Sequence, residues 1–334
     1  MTGGGEGGDW RVALARYSGG DWTAGIRQLG VTVGVYLLLW YAAYRSLEVS
    51  YWLTLAIALP LAGVLVRLFT IQHDCGHGSF LPSAAANDWI GRSLGAITLT
   101  PYRYWRRFHA LHHATSGKLE RRGVYDIITL TVREYDALPW WKRSLYRVYR
   151  HPLFLFAIAP TFLFVFLHRL PWVAPKTWRA ERRSILGTDL AVALLLGLVA
   201  ATVGVRALLL IQVPVSVIAS GAGMWLFYVQ HQFEDAYWEP SERWDFARAS
   251  LTGSSYYALP AWLHWFTGHI GLHHIHHLNT RIPNYRLQAC LEENPELPQA
   301  ARLTLRDSFR CVRFKLWDEE RSKLVPIPPP NART

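Results

Sequence analysis

Four runs of apolar residues, each long enough to cross a bilayer as a helix, constrain this chain more than any other feature. A spanning helix needs about 20 apolar residues, because hydrocarbon offers no partner for an exposed backbone polar group. The runs lie at 30–47, 51–71, 189–205 and 207–229, with very polar stretches between them. A chain that is 51% hydrophobic is thus sorted into blocks, whereas a soluble domain interleaves its apolar and polar residues. Two further apolar stretches differ: 90–100 is too short to cross, and 153–168 is borderline, with Pro160 at its centre.

The charge pattern orients these blocks. The net charge is +11, but the basic residues lie between the apolar runs and form no compact basic motif. This speaks against a nucleic-acid partner and for topology control, with a surface suited to anionic headgroups or an acidic protein. Arg103, Arg106, Arg107, Lys118, Arg121, Arg122, Arg133, Lys142, Arg143, Arg147 and Arg150 precede the borderline stretch, and Arg169, Lys176, Arg179, Arg182 and Arg183 follow it. By the positive-inside rule both flanks are cytoplasmic, so 153–168 is expected to be a re-entrant or interfacial helical hairpin bent at Pro160. Four spans then place both termini on the cytoplasmic side of the cell membrane. Residues 44–50 and a tight turn near 204–206 form the outer loops.

The expected fold class is all-α integral membrane: four transmembrane helices and a re-entrant or interfacial segment, capped by a cytoplasmic helical domain. Residues 1–29 are expected to be a disordered or interfacial N-terminus, 30–290 the membrane domain, and 291–334 a cytoplasmic tail. In that tail 297–319 reads as an amphipathic helix opened by Pro298, with Leu303, Leu305, Phe309 and Val312 among its apolar residues, and 326–330 as irregular. Cys75, Cys290 and Cys311 are too few and too scattered for a disulfide framework or a thiolate site.

Most of the 14 histidines fall into tight groups. His73 and His77 close the second run; His109, His112 and His113 form a second group; His273, His274, His276 and His277 form a third; and His231 follows the fourth run. Residues at i, i+3 and i+4 share a helix face, so each group presents a patch of imidazoles. In the third group His273, His276 and His277 share that face and His274 does not, which leaves nine imidazoles. Imidazole suits Zn, Fe, Cu and Ni, and nine such ligands exceed the roughly six that one ion takes, so two metal ions sharing the set is the economical reading. The span count brings all four contributions to one side of the membrane, which makes coincidence remote. His151 and His168 stand alone and read as ordinary helix-end histidines. Haem ligation calls for isolated pairs inside the bilayer. A His-rich metal transporter or receptor calls for ionisable residues in mid-span, whereas these runs are almost free of charge, with Arg67 near an end.

The segments HDCGHGSF (73–80), WRRFHALHH (105–113), QHQFED (230–235) and GLHHIHHLNTRIPNYRL (271–287) resemble the histidine boxes of the membrane fatty acid desaturases. The similarity runs from about residue 50 to 320 and includes RRGVYDIITLTVREY (121–135). The third box and its RIPNYRL continuation look most like bacterial acyl-lipid desaturases. The resemblance implies a non-haem di-iron centre with O2 as co-substrate, a membrane lipid acyl chain held in a long internal tunnel, and a cis double bond as product. Carried over by position, the ligands are His73, His77, His109, His112, His113, His231, His273, His276 and His277, while His274 falls at a variable position. The resemblance leads one to expect Asn at 269, where this chain has His269. At i, i+4 from His273 it is a possible extra ligand, and a tolerated interfacial substitution otherwise.

Asp74, Asp126, Glu234 and Asp235 are candidate acceptors for ligand N–H groups, or else ordinary surface carboxylates. The glycine-rich run at 3–8 follows no strand pattern and so is no dinucleotide-binding GxGxxG fingerprint, and the chain has no haem-binding motif or CxxCxxC cluster, so electrons are expected from a separate donor such as a ferredoxin, steered by the basic face. A hydroxylase or ketolase of the same superfamily, acting on alkanes, sterols or carotenoids, would use the same ligands.

Overall fold

The computed structural model describes residues 10–123, 126–297 and 300–328. A short helix, α1 (Trp10–Ala15), precedes α2 (Trp22–Ser46). The α2 helix starts at Trp22, well before residue 30, because Asp21 caps it: its carboxylate accepts the Ala24 N–H at 2.7 Å. Most of the segment 10–29, expected to be disordered or interfacial, is therefore helical. Residues 1–9 lie outside the described residues.

The next helix, α3 (Tyr51–His77), runs past the expected end at 71 and carries the first histidine pair on its last turns. It stops at Gly78, whose φ of +68° only glycine adopts without strain. Ser83 caps α4 (Ala84–Ile97), the apolar stretch too short to cross, and α5 (Tyr102–Thr115) carries the second histidine group. A Thr131/Glu134 capping box starts α6 (Val132–Ala137), and α7 (Trp140–Tyr149) follows.

The helical run Phe154–Arg169, which contains α8 (Ala159–Val165), meets α7 at 55°. The sequence reading put a bend at Pro160; the structure puts it between Tyr149 and Phe154 instead. A π turn at Phe154–Ile158 leads into Pro160. Such a wide turn accommodates the proline's missing N–H, so the helix continues through it.

The other long helices are α9 (Arg179–Val203) and α10 (Val205–His231). They join at Gly204, with φ +86°, in the tight turn expected there. Shorter helices follow: α11 (Phe246–Thr252), α12 (Ala261–Thr267), α13 (His273–Leu278), α14 (Asn284–Glu292) and α15 (Leu305–Cys311). The single amphipathic helix expected over 297–319 is not formed. Its place holds β3 and α15, then β4, with a Thr304/Asp307 capping box starting the short helix. Pro298, its expected first residue, lies outside the described residues.

Among the described residues the strands are short. β1 (Leu130–Thr131) pairs parallel with β4 (Leu316–Asp318), and β4 antiparallel with β5 (Lys323–Val325). β2 (Tyr256–Ala258) pairs parallel with β3 (Arg302–Thr304).

Four helices, α2, α3, α9 and α10, are long and apolar enough to cross a membrane. α3 is the central one. Ala58, Leu61, Ala62, Val64, Leu68 and Ile71 are fully buried in one cluster with residues of α2, α4 and α10. The α9 helix shows the opposite: Leu186, Leu190, Leu194 and Leu198, spaced every four residues along one face, are 56–66% exposed. Leaving a leucine in water forgoes about 1.5–3 kcal/mol each, so this stripe suits a lipid surround. The protein is a polytopic, mostly helical membrane protein.

Candidate metal centre

Four elements converge to build the centre. The last turns of α3 bring His73 and His77, α5 brings His109, His112 and His113, the last residue of α10 is His231, and α13 brings His273, His276 and His277. They sort into two groups in which the ligand nitrogens lie within 4.8 Å of one another: His73, His77, His109, His113 and His276, and then His112, His231, His273 and His277. All nine sequence-predicted ligands are therefore brought together.

Helix geometry explains the partition. Residues i and i+4 differ by about 40° around the axis, while i+3 falls about 60° to the other side. The i, i+4 pairs His73/His77, His109/His113 and His273/His277 each stay within one group. His112 and His276, each at i+3, cross into the other. Two helices, α5 and α13, thus each supply both groups.

The nitrogen spacing fits metal ions. In the first group Nε2 of His113 lies 3.0 Å from Nε2 of His109 and 3.1 Å from that of His276. In the second, Nε2 of His273 lies 3.0 Å from that of His231 and 3.2 Å from that of His277. A neutral imidazole has one N–H, so a nitrogen facing two other Nε2 atoms cannot satisfy both as hydrogen bonds. At a metal–nitrogen bond of about 2.1 Å, ligands at right angles stand about 3.0 Å apart. The buried Nε2 of His77 has no hydrogen-bond partner. A cation held by each group would satisfy these lone pairs.

Neighbouring groups fix the ring tautomers. His73 Nδ1 lies 3.0 Å from an Asp74 carboxylate oxygen, and His231 Nδ1 lies 3.1 Å from the Gly253 carbonyl. Both acceptors hold the proton on Nδ1 and leave Nε2 free as a ligand. The second Asp74 oxygen accepts the Asn284 backbone N–H at 2.6 Å and its side-chain N–H at 2.8 Å, and Gln28 donates to the Asn284 amide oxygen at 2.7 Å. The indole of Trp105 stacks on His109 at 4.7 Å, and Phe227 packs 5.1 Å from His112. Asn284, Gln28, Trp105 and Phe227 were not singled out in the sequence. Asn284 sits inside the quoted RIPNYRL segment, but nothing local links it to Asp74.

Of the four carboxylates considered, only Asp74 reaches a ligand. Glu234 and Asp235 face Lys323, at 3.8 and 2.9 Å. Asp126 accepts the Ile127 N–H at 2.6 Å, and desolvation pushes its carboxyl up to about 6. His269 belongs to neither group. It follows the C-terminus of α12 with φ +57° and stacks on His264 at 5.1 Å, with 9° between the rings. The chain turns there, so the i, i+4 relation to His273 is not helical. His274 packs near the Tyr256 ring, outside both groups. Replacing His269 with Asn is accordingly expected to leave the metal stoichiometry unchanged by elemental analysis; loss of one equivalent would make His269 a ligand.

Burial, reinforced by neighbouring imidazoles, holds His109, His113, His273, His276 and His277 well below the usual histidine range. They are neutral and ready to ligate at physiological pH. The folded values lie below the unfolded value, so the unfolded chain binds more protons once the pH drops below about 6.5. Each such residue then costs the metal-free protein about 1.4 kcal/mol of stability per pH unit. Chelator-treated protein is expected to unfold between about pH 6.5 and 5, while the metal-loaded form resists. Equal melting temperatures of the metal-free protein at both ends of that window would contradict this.

The fold and site together define a helical membrane protein with two adjoining all-histidine groups, each able to hold a metal ion. Comparison with known proteins agrees: the fatty acid desaturase family model matches residues 50–309. A fatty acid desaturase of Bacillus subtilis is 42% identical over 287 residues, covering 86% of this chain and 81% of that protein. An sn-1 oleoyl-lipid 12-desaturase of Synechocystis is 27% identical, covering 82% and 76% respectively. An sn-1 acyl-lipid omega-3 desaturase (ferredoxin) of Synechocystis is 28% identical, covering 79% and 72%. The chain belongs to the fatty acid desaturase family and is an oxidoreductase.

Proposed function

We propose that this protein is an O2-dependent desaturase that introduces a cis double bond into the acyl chain of a membrane lipid, using two irons held by the nine histidines. The observation that carries this reading is the convergence of the nine imidazoles into groups of five and four, with α5 and α13 brought against the ends of the apolar helices α3 and α10. Bound iron supplies the one-electron and O2 chemistry that an unactivated C–H bond requires. The protein's own part is to hold and shield it. Asp74 and the Gly253 carbonyl keep the Nδ1 protons of His73 and His231 in place. Trp105 and Phe227 cover His109 and His112 and limit the access of water.

Further parts of the proposal rest on sequence and on relatives. The basic segments between spans favour a cytoplasmic location for both termini and the centre. One relative's name specifies ferredoxin, and the excess of basic residues suits an acidic donor of that kind. Two names specify lipid-linked acyl chains.

The test is expression in a host that makes no polyunsaturated lipid, with double-bond location in the recovered fatty acids. New cis-unsaturated chains, together with about two irons per protein, are the expected result. A hydroxylated product would make it a hydroxylase of the same superfamily. Zinc alone, with no O2 consumption under reducing conditions, would overturn the oxidative reading.

A further inference from the structure

A groove of about 490 Å³ lies between α4 and α9, and none of the nine histidines lines it. Arg92 on α4, Arg103 on α5 and Arg183 on α9 edge it, and Ala96, Gly187 and Ala191 form part of its wall. The two kinds of residue occupy different depths. Arg183 lies one turn into α9, just before the exposed Leu186–Leu198 stripe, and Ala191 lies about 12 Å further along at 1.5 Å per residue. The groove therefore begins among guanidinium groups and runs down into the lipid-facing part of the span.

Its charge is largely uncompensated. Arg92 shares Asp88 with Arg106, at 3.5 and 2.9 Å. Among the described residues neither Arg103 nor Arg183 has an ion-pair partner within 4.0 Å. The Ser184 hydroxyl, which also lines the groove, accepts the Arg103 backbone N–H at 3.2 Å and ties the α5 start to α9. A Cβ built on Gly187 would meet no atom within 4 Å, so the wall is open there.

We propose that this groove binds a glycerophospholipid of the surrounding bilayer, its phosphodiester on Arg92, Arg103 and Arg183 and one acyl chain along Ala96, Gly187 and Ala191. Guanidinium groups donate in a fork that matches phosphate oxygens. A soluble anion would use only the mouth, whereas a phospholipid matches both the cationic mouth and the apolar wall. This site is separate from the metal centre and does not depend on which reaction that centre performs.

The test uses the full-length, metal-loaded protein in neutral detergent, titrated with phosphatidylglycerol. A galactolipid with the same acyl chains and no phosphate, and inorganic phosphate, serve as comparisons. Saturable binding of phosphatidylglycerol, with a raised melting temperature, is expected. Replacing Arg103 and Arg183 together with Gln should weaken it by about thirtyfold, at the usual contribution of one basic residue near a lipid surface. Gly187→Leu keeps every charge and fills the wall, and it should also weaken binding with metal content unchanged. That variant carries the test if the double arginine variant does not fold. Equally tight binding of the galactolipid, equal stabilisation by inorganic phosphate, or unaltered phosphatidylglycerol binding in Gly187→Leu would each overturn the proposal.

Discussion

Asp74→Asn is expected to weaken metal binding by the five-histidine group by about 10- to 100-fold, the usual effect of losing a ligand's hydrogen-bond partner. The four-histidine group should keep its ion, so metal content falls towards half. The carboxylate is acceptor-only: one oxygen faces His73 Nδ1, and the other takes two N–H groups of Asn284. An amide has one acceptor and one donor end. If its NH2 faces His73, the ring must accept at Nδ1, and its proton moves to Nε2, the nitrogen aimed at the metal. If its NH2 faces Asn284, two sets of donors collide in a buried site, at about 1–3 kcal/mol. Both orientations fail, so the substitution damages the centre without changing a ligand. Equilibrium dialysis with elemental analysis measures the loss. Unchanged affinity at both groups would show that Asp74 does not set the His73 tautomer. Asn284→Ala should produce a milder form of the same defect, because Asp74 retains the His73 contact.

Arg150→Ala is expected to destabilise the protein by about 3–5 kcal/mol, through several buried acceptors left without their donor. Arg150 is 1% exposed, and its guanidinium ties three distant segments together. It donates to Ile128 O and Thr129 Oγ1, both at 3.0 Å, before α6. It donates to Gln232 Oε1 at 3.0 Å and the Tyr228 hydroxyl at 3.2 Å, at the end of α10. It also donates to the Phe314 carbonyl at 2.9 Å in the C-terminal segment. Gln232 adjoins the proposed ligand His231, so the loss should reach the centre as reduced metal retention by the four-histidine group. The β3–β5 region should become more sensitive to limited proteolysis. Arg150→Lys should recover less than half of the stability, since one ammonium cannot span the acceptors that a planar fork reaches. Wild-type melting temperature and proteolysis in Arg150→Ala would refute this role.

Neither Asp74's partner nor Arg150's place in the interior was legible from local pattern. Arg150 belonged to a basic stretch, and a basic stretch beside apolar runs reads as topology control. What distinguishes it is that Tyr228, Gln232 and Phe314, far along the chain, all aim acceptors at one spot. Glu234 and Asp235 show the reverse. They adjoin His231 in sequence but turn towards Lys323 on β5, because the helix ends at His231 and the chain leaves the site. His269 likewise lost its apparent helical relation to His273 once the intervening backbone was seen to turn. The C-terminal segment misled because apolar spacing over 297–319 is shared by a short helix between strands, whose pairing partners lie elsewhere.

The sequence by itself determined the four apolar runs, the mostly helical membrane class and the nine clustered histidines. Each of these is a local property: a run of apolar residues long enough for hydrocarbon, or imidazoles one helical turn apart. The tertiary structure alone decided that five histidines face one position and four the other. It also decided that Asn284 holds Asp74, and that Arg150 locks the end of α10 to the C-terminal segment. The physical reason is that helix periodicity fixes only the angle between side chains on one helix. Which of them meet depends on how α3, α5, α10 and α13 pack together, and that is set by contacts between residues far apart in the chain.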